Sequence, residues 1–298
     1  MTLRIGTRRS RLALAQAGEV RERLASTGVQ SELVPILTEG DRGAAAESSP
    51  AGLKGLFVAE IVRALLGGDV DVAVHSAKDL PAEDTPGVVL GAVPHREHPF
   101  DVLVSREPTL GVDAVVATSA LRRRAQLARL RPELRVVEVR GNVDTRLSKL
   151  EAGDVDGLVL AEAGLARLGL NPAHRTTLTA GEMVPAPGQG SLAIQCRADD
   201  EATLNALAPL DDLSTHTALS AERALMVRMG GGCALPLGGF ANVGELGVHL
   251  IGLVATPDGR QIVRAEARSA TPDEVAAIVA DDLVQQGAAD ILTAVREG

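Results

Sequence analysis

Apolar residues along the chain switch repeatedly between the spacing of a strand and that of a helix. Leu3-Arg4-Ile5-Gly6-Thr7 reads as a first strand. From Ser10 to Thr27, Leu12, Ala13, Ala17, Val20 and Leu24 fall on one helical face that ends before Gly28. The pattern next predicts a strand over 31–37 and a helix over 53–66 closed by Gly67-Gly68. A short buried strand over 70–74 then runs into His75-Ser76-Ala77-Lys78-Asp79. Beyond a proline-bracketed segment at 94–99, strands are expected over 102–105, 114–118, 135–139 and 157–160. They alternate with helices over 121–130, 143–152 and 161–168.

A second proline and glycine cluster, Pro185-Ala186-Pro187-Gly188-Gln189-Gly190, marks a return crossing. Two crossings imply a discontinuous first lobe of residues 1–95 and 191–209 around a second lobe of residues 96–190. The remainder, 210–298, changes character: a helix over 214–229, a Gly230-Gly231-Gly232-Cys233 loop, strands around 248–254 and 261–267, then two helices. The expected fold is therefore α/β, two lobes with a double crossing plus a small C-terminal α+β domain. The stretch 38–52, rich in Gly, Ala, Glu and Ser, is too long for a plain connector and is expected to be a lid over the cleft between the lobes.

Composition narrows the function. With 298 residues and 45% of them apolar, the chain has material for more than one core. Three Phe and no Trp or Tyr leave no base-stacking platform, and a net charge of −9 argues against a nucleic-acid partner. Two cysteines fit a reducing compartment, and no apolar run reaches a membrane span. A soluble, cytoplasmic protein is expected. Lys54, Lys78 and Lys149 are the only lysines among 30 basic residues. Arginine is the side chain that grips carboxylate or phosphate with a planar fork.

Many of those arginines fall where anions bind, at strand ends and the helix starts that follow them. Arg8, Arg9 and Ser10 join the first strand to the first helix. Thr118, Ser119, Arg122 and Arg123 follow the strand over 114–118, and Arg140, Asn142 and Arg146 open the helix at 143. The implied ligand is a polyanion, and the absence of a glycine-rich phosphate loop favours carboxylates. Asp79, just past a buried strand, could accept hydrogen bonds or stabilise a cation. Cys233 follows three glycines that permit close approach of a neighbouring domain, whereas Cys196 reads as inert core. No spacing makes a metal site, and no Gly-x-Ser-x-Gly elbow supports a hydrolase.

Together these strings resemble the porphobilinogen deaminase family, also called hydroxymethylbilane synthases. The resemblance rests on Thr7-Arg8-Arg9-Ser10, Lys54-Gly55-Leu56-Phe57-Val58, His75 to Pro81, Leu121-Arg122-Arg123, Arg140 to Leu150, Gly188-Gln189-Gly190 and Gly231-Gly232-Cys233. It implies lobes like those of periplasmic binding proteins. It also implies an enzyme that joins four porphobilinogen molecules head to tail into hydroxymethylbilane, releasing ammonia at each step, for tetrapyrrole and haem synthesis. The implied cofactor is a dipyrromethane held by a thioether, here to Cys233, and the implied catalytic carboxylate is Asp79. Lys78, Asp79, Thr118, Ser119, Arg122, Arg123 and Arg146 match the family's cofactor contacts. Arg8, Ser10, Gln16, Arg140, Arg167, Gln189 and Phe57 match its substrate contacts. No metal, nucleic acid or membrane is implied, and a monomer is expected. Arg11, Ala120 and Ala59 stand where the family commonly has Pro, Ser and Lys. A rival reading without catalysis, a two-lobed module binding a polycarboxylate solute or effector, would explain the arginines but not the Gly-Gly-Cys loop or the third domain.

Overall fold

A computed structural model describes residues 2–37, 53–231 and 235–297, with side chains throughout except at 53–57. The expected lid at 38–52 and Cys233 lie outside the described residues, as do the side chains of Lys54 and Phe57. The fold is α/β, two lobes and a small C-terminal domain, each built on its own sheet.

The first lobe opens with β1 (Thr2–Arg8), α1 (Arg11–Ser26), β2 (Gln30–Ile36), α2 (Leu53–Leu66), β3 (Val72–Ser76) and β4 (Val88–Ala92). The second follows as β5 (Asp101–Ser105), β6 (Val115–Ala117), α3 (Leu121–Leu130), β7 (Arg135–Val137), α4 (Val143–Glu151), β8 (Gly157–Ala161), α5 (Glu162–Arg167) and β9 (His174–Leu178). The chain then returns to the first lobe as β10 (Leu192–Arg197) and α6 (Glu201–Leu207). The sheet orders, β2-β1-β3-β10-β4 and β7-β6-β8-β5-β9, repeat one plan. In each, three parallel strands are followed by an antiparallel strand that has just come through a crossing: β10 against β3, and β5 against β8.

Alternation places the cores. Leu3, Ile5, Val72, Val74, Leu192 and Ile194 meet Ala17, Val20 and Leu24 of α1, whereas Ala73 and Ala193 turn to the other face and meet Ile61 and Leu65 of α2. The tail comprises α7 (Leu213–Arg228), β11 (Leu237–Gly244), β12 (Gly247–Ala255), β13 (Ile262–Ser269), α8 (Pro272–Gln285) and α9 (Ala288–Glu297), with α7, α8 and α9 packed on an antiparallel sheet.

The expected strand over 70–74 begins two residues later. Val70 still belongs to the turn out of α2, and the Asp71 carboxylate accepts the Arg4 backbone N–H at 3.0 Å. Ala161 ends β8 rather than opening a helix. Strands β4, β9 and β11 had no counterpart in the sequence reading.

Candidate active site

Between the lobes lies a partly open cleft with about 100 Å³ of accessible space. Gln16, Ser76 and Lys78 line it from the first lobe; Arg123, Arg146 and Arg167 line it from the second. All six stand at the carboxyl ends of strands or on the helices that face them, as an open α/β sheet dictates.

On the first-lobe wall, Ser10 caps α1 by accepting the Ala13 N–H at 3.3 Å. This sets the helix so that Gln16, buried, donates from Nε2 to Ser76 Oγ at 2.7 Å. Ala77–Asp79 forms a single 3-10 turn directly after β3. Lys78 reaches into the cleft and contacts Gln189 Oε1 at 3.5 Å, while half-buried Asp79 follows it and does not line the cleft.

The second-lobe wall is built on a buried charge network that the sequence reading missed. Asp101, fully buried at the start of β5, receives Arg122 at 2.7 Å and Arg123 at 2.8 Å. Burial alone would raise its pKa, but the two guanidinium groups outweigh it and hold the carboxyl at about 2. Arg122 spends its remaining reach on the Val184 carbonyl at 2.6 Å, and Arg123 on the Val159 carbonyl at 3.0 Å. Gln189, fully buried, donates to Pro99 O at 2.8 Å and Asp101 Oδ1 at 3.0 Å, and its Oε1 accepts from Arg123 at 3.4 Å. The sign that could have exposed Asp101 is an acid opening an otherwise apolar strand just behind a crossing.

Arg167 is likewise satisfied, by Glu19 of α1 at 3.0 Å and the Gly190 carbonyl at 3.0 Å. Arg146 is not. Its Nε donates to Gly141 O at 2.9 Å, but among the described residues no carboxylate lies within ion-pair distance. Burial first, then repulsion from Arg123, lowers its pKa. Ser191 Oγ, lining the same cleft, is buried with no hydrogen-bond partner among the described residues. A partly buried cation short of a counter-charge and an unmatched hydroxyl fit a carboxylate-bearing group such as a dipyrromethane.

The remaining candidates divide. Thr118 is fully buried beside the start of α3 and accepts from Ala120 N at 3.4 Å; the Ser119 hydroxyl donates to Val139 O. Half-buried Arg8 ends β1, and exposed Arg140 donates to Glu138 at 3.2 Å; neither lines the cleft. Cys196 is sealed in the first core, and burial pushes its thiol up to about 11, so it is no nucleophile at neutral pH.

Comparison with known proteins gives the same direction over nearly the whole chain. Residues 3–205 match the model of the porphobilinogen deaminase dipyrromethane-cofactor-binding domain, and residues 216–285 match that of the porphobilinogen deaminase C-terminal domain. Porphobilinogen deaminase of Brevibacillus brevis is 43% identical over 98% of this chain and 97% of its own length. That of Syntrophotalea carbinolica is 45% identical over 98% of this chain and 95% of its own. Among solved structures, a periplasmic domain of BvgS from Bordetella pertussis is 14% identical over 75% of this chain and 92% of that one, at a TM-score of 0.41. With both lobes and the third domain matched in order, this chain belongs to the porphobilinogen deaminase family.

Proposed function

We infer that the chain is a hydroxymethylbilane synthase that joins four porphobilinogen molecules head to tail with release of ammonia. The observation that carries the site assignment is Arg146, a partly buried arginine with no carboxylate partner among the described residues, in a cleft also lined by Lys78, Arg123 and Arg167. Each porphobilinogen brings an acetate and a propionate, and arginine forks bind such groups bidentately.

In this reading Cys233 holds the dipyrromethane, with Lys78, Thr118, Ser119, Arg122, Arg123 and Arg146 around it. When bound, that group supplies the pyrrole α-carbon at which the chain grows. Arg8, Ser10, Gln16, Arg140, Arg167, Gln189 and Phe57 receive the incoming unit. Arg122 and Gln189 act through the wall they build, since Asp101 and backbone carbonyls already occupy them. Asp79 accepts the N–H of the reacting pyrrole, stabilises the cation that forms as ammonia leaves the substrate, and takes up or returns the proton. The walls of the cleft exclude water, which would otherwise trap that cation. We place the enzyme in the cytoplasm as a monomer; among the described residues no helix is long and apolar enough to cross a membrane. The rival two-lobed binding module is not favoured, because the family match extends through the third domain.

Intact mass of the purified protein, followed by peptide mapping, tests this reading. A two-pyrrole adduct on the Cys233 peptide and conversion of porphobilinogen to hydroxymethylbilane are expected. An adduct on Cys196, or full activity without an adduct, overturns it.

A further inference from the structure

Two neighbouring residues of α7, Glu222 and Arg223, grip the two loops that carry Gln189 and Asp79. Glu222 is fully buried. Its carboxylate accepts from Arg96 at 2.7 and 3.2 Å, from the Gly188 N–H at 2.6 Å and from the Ala241 N–H at 2.7 Å. Arg96 in turn donates to the Gln189 carbonyl at 2.8 Å. One carboxylate therefore ties both crossings between the lobes to the third domain.

Consecutive helical residues point about 100° apart, so the next side chain reaches a different loop. Arg223 donates to the carbonyls of Pro81 at 3.0 Å and Ala82 at 3.2 Å, and pairs with Asp84 at 2.8 Å. Those carbonyls belong to the loop that immediately follows Asp79. The two gripped loops also touch each other: Gly188 has a φ of +76°, and a Cβ there would lie 2.9 Å from the backbone of Ala77 and Lys78.

The same helix runs through Met229 into Gly230 and Gly231, two residues short of Cys233. A Cβ on Gly231 would lie 3.0 Å from Ala82 Cβ, so the end of α7 rests on the loop that Arg223 holds. A single rigid element thus leads to the cofactor cysteine and clamps the loops bearing Asp79 and Gln189.

We propose that Arg223, supported by Glu222, is a positioning residue: through the 81–82 carbonyls it fixes Asp79 relative to the group carried on Cys233. The proposal rests on the roles of Cys233 and Asp79 given above. Misplacing a reacting group by about an ångström can cost on the order of a hundredfold in rate, whereas binding of carboxylates by arginines elsewhere is untouched.

The test uses the holoenzyme, with the fraction carrying the adduct counted by intact mass and kcat expressed per loaded molecule. Arg223→Ala should load normally and keep KM within about twofold while kcat falls about tenfold or more. Arg223→Lys, which keeps one donor group in reach, should recover part of that loss. The control is Arg4→Gln, which breaks the Arg4–Asp71 pair away from the cleft and should lower the urea midpoint with kcat unchanged. Wild-type kcat per loaded molecule in Arg223→Ala, or a fall that merely follows the midpoint as in the control, overturns the proposal. If the alanine variant does not fold, Arg223→Lys decides: an intermediate kcat supports the clamp and a wild-type kcat overturns it. Failure of the underlying reading would show separately, as wild-type turnover without an adduct on Cys233.

Discussion

His75 and Asp79 stand one short turn apart, and each makes a different demand on the same segment. In the proposed reaction Asp79 acts as a carboxylate that stabilises a cation. Asp79→Asn keeps the shape without the charge and should lower kcat at least about 100-fold with a smaller change in KM. Turnover near wild type at saturating porphobilinogen would remove Asp79 from the mechanism. His75 is the opposite case, an imidazole that must stay neutral. Its ring is buried, Nε2 has no hydrogen-bond partner among the described residues, and burial drives its pKa down to about 4, only partly countered by the charge of Asp79. An unfolded histidine titrates near 6.5, so between those values the unfolded chain binds a proton that the folded chain refuses. Folding stability should therefore fall as pH drops from about 6.5 to about 4, by up to about 3 kcal/mol, and His75 should add no further loss below that. The urea midpoint of His75→Phe should gain relative to that of wild type as pH falls across this range; parallel curves would mean that His75 does not titrate this way. The sequence shows His75 as part of a motif but not this burden, because nothing local reveals that the ring faces a core.

At the scale of elements, the second lobe shows what a sequence reading catches and what it cannot. Helix α3 was legible to the residue: the span expected over 121–130 is the one the structure forms. Arg122 and Arg123 at its start were read as ligand contacts, but their charges close on Asp101, an acid 21 and 22 positions earlier in the chain, across the sheet. Pairings of that kind depend on tertiary register, which no local pattern encodes. The missed strands have local reasons. In β9 the middle residues Arg175, Thr176 and Thr177 are all exposed, so no alternation is visible. In β11, Gly238 and Gly239 replace the expected apolar residues because Val184 and Pro187 press against them; a Cβ on Gly238 would lie 2.9 Å from Val184. The charge network itself is a stability device. Removing one member of a buried ion cluster leaves uncompensated charge and commonly costs about 3–5 kcal/mol. Asp101→Asn should therefore lower the unfolding free energy by about 3 kcal/mol and also disturb Gln189, which donates to the same carboxylate oxygen as Arg123. A urea midpoint within about 0.5 kcal/mol of wild type would show that Arg122 and Arg123 are held by other contacts.

For the whole molecule, the two proline-marked crossings imply a discontinuous first lobe, and in the structure β10, after the second crossing, pairs antiparallel with β3 and β4 of the first sheet. What the sequence did not show is how the lobes are held together across the cleft. Helix α1 of the first lobe is grasped twice by the second: Arg11 pairs with Asp144 of α4 at 2.6 Å, and Glu19 pairs with Arg167 of α5 at 3.0 Å. The first pair is well exposed, with Arg11 at 61% and Asp144 at 41%, so it contributes at most about 1 kcal/mol and is screened by salt. The second is more sheltered, with Arg167 at 7%, and it occupies an arginine that the functional reading assigns to incoming substrate. A carboxylate of that substrate would compete with Glu19 for Arg167, so binding and loosening of the lobes are coupled by mass action. If a chain lengthening inside one cleft requires such loosening, these two pairs are the contacts to release. Releasing both with Arg11→Ala and Glu19→Gln should leave each lobe's core intact, with Arg11→Ala alone costing at most about 1 kcal/mol and Glu19→Gln, which strands the sheltered Arg167, costing more. The radius of gyration from X-ray scattering at low salt should then exceed that of wild type, and added salt should move the variant less than it moves wild type. An unchanged radius with an unchanged salt response would show that contacts other than these two ion pairs keep the cleft closed.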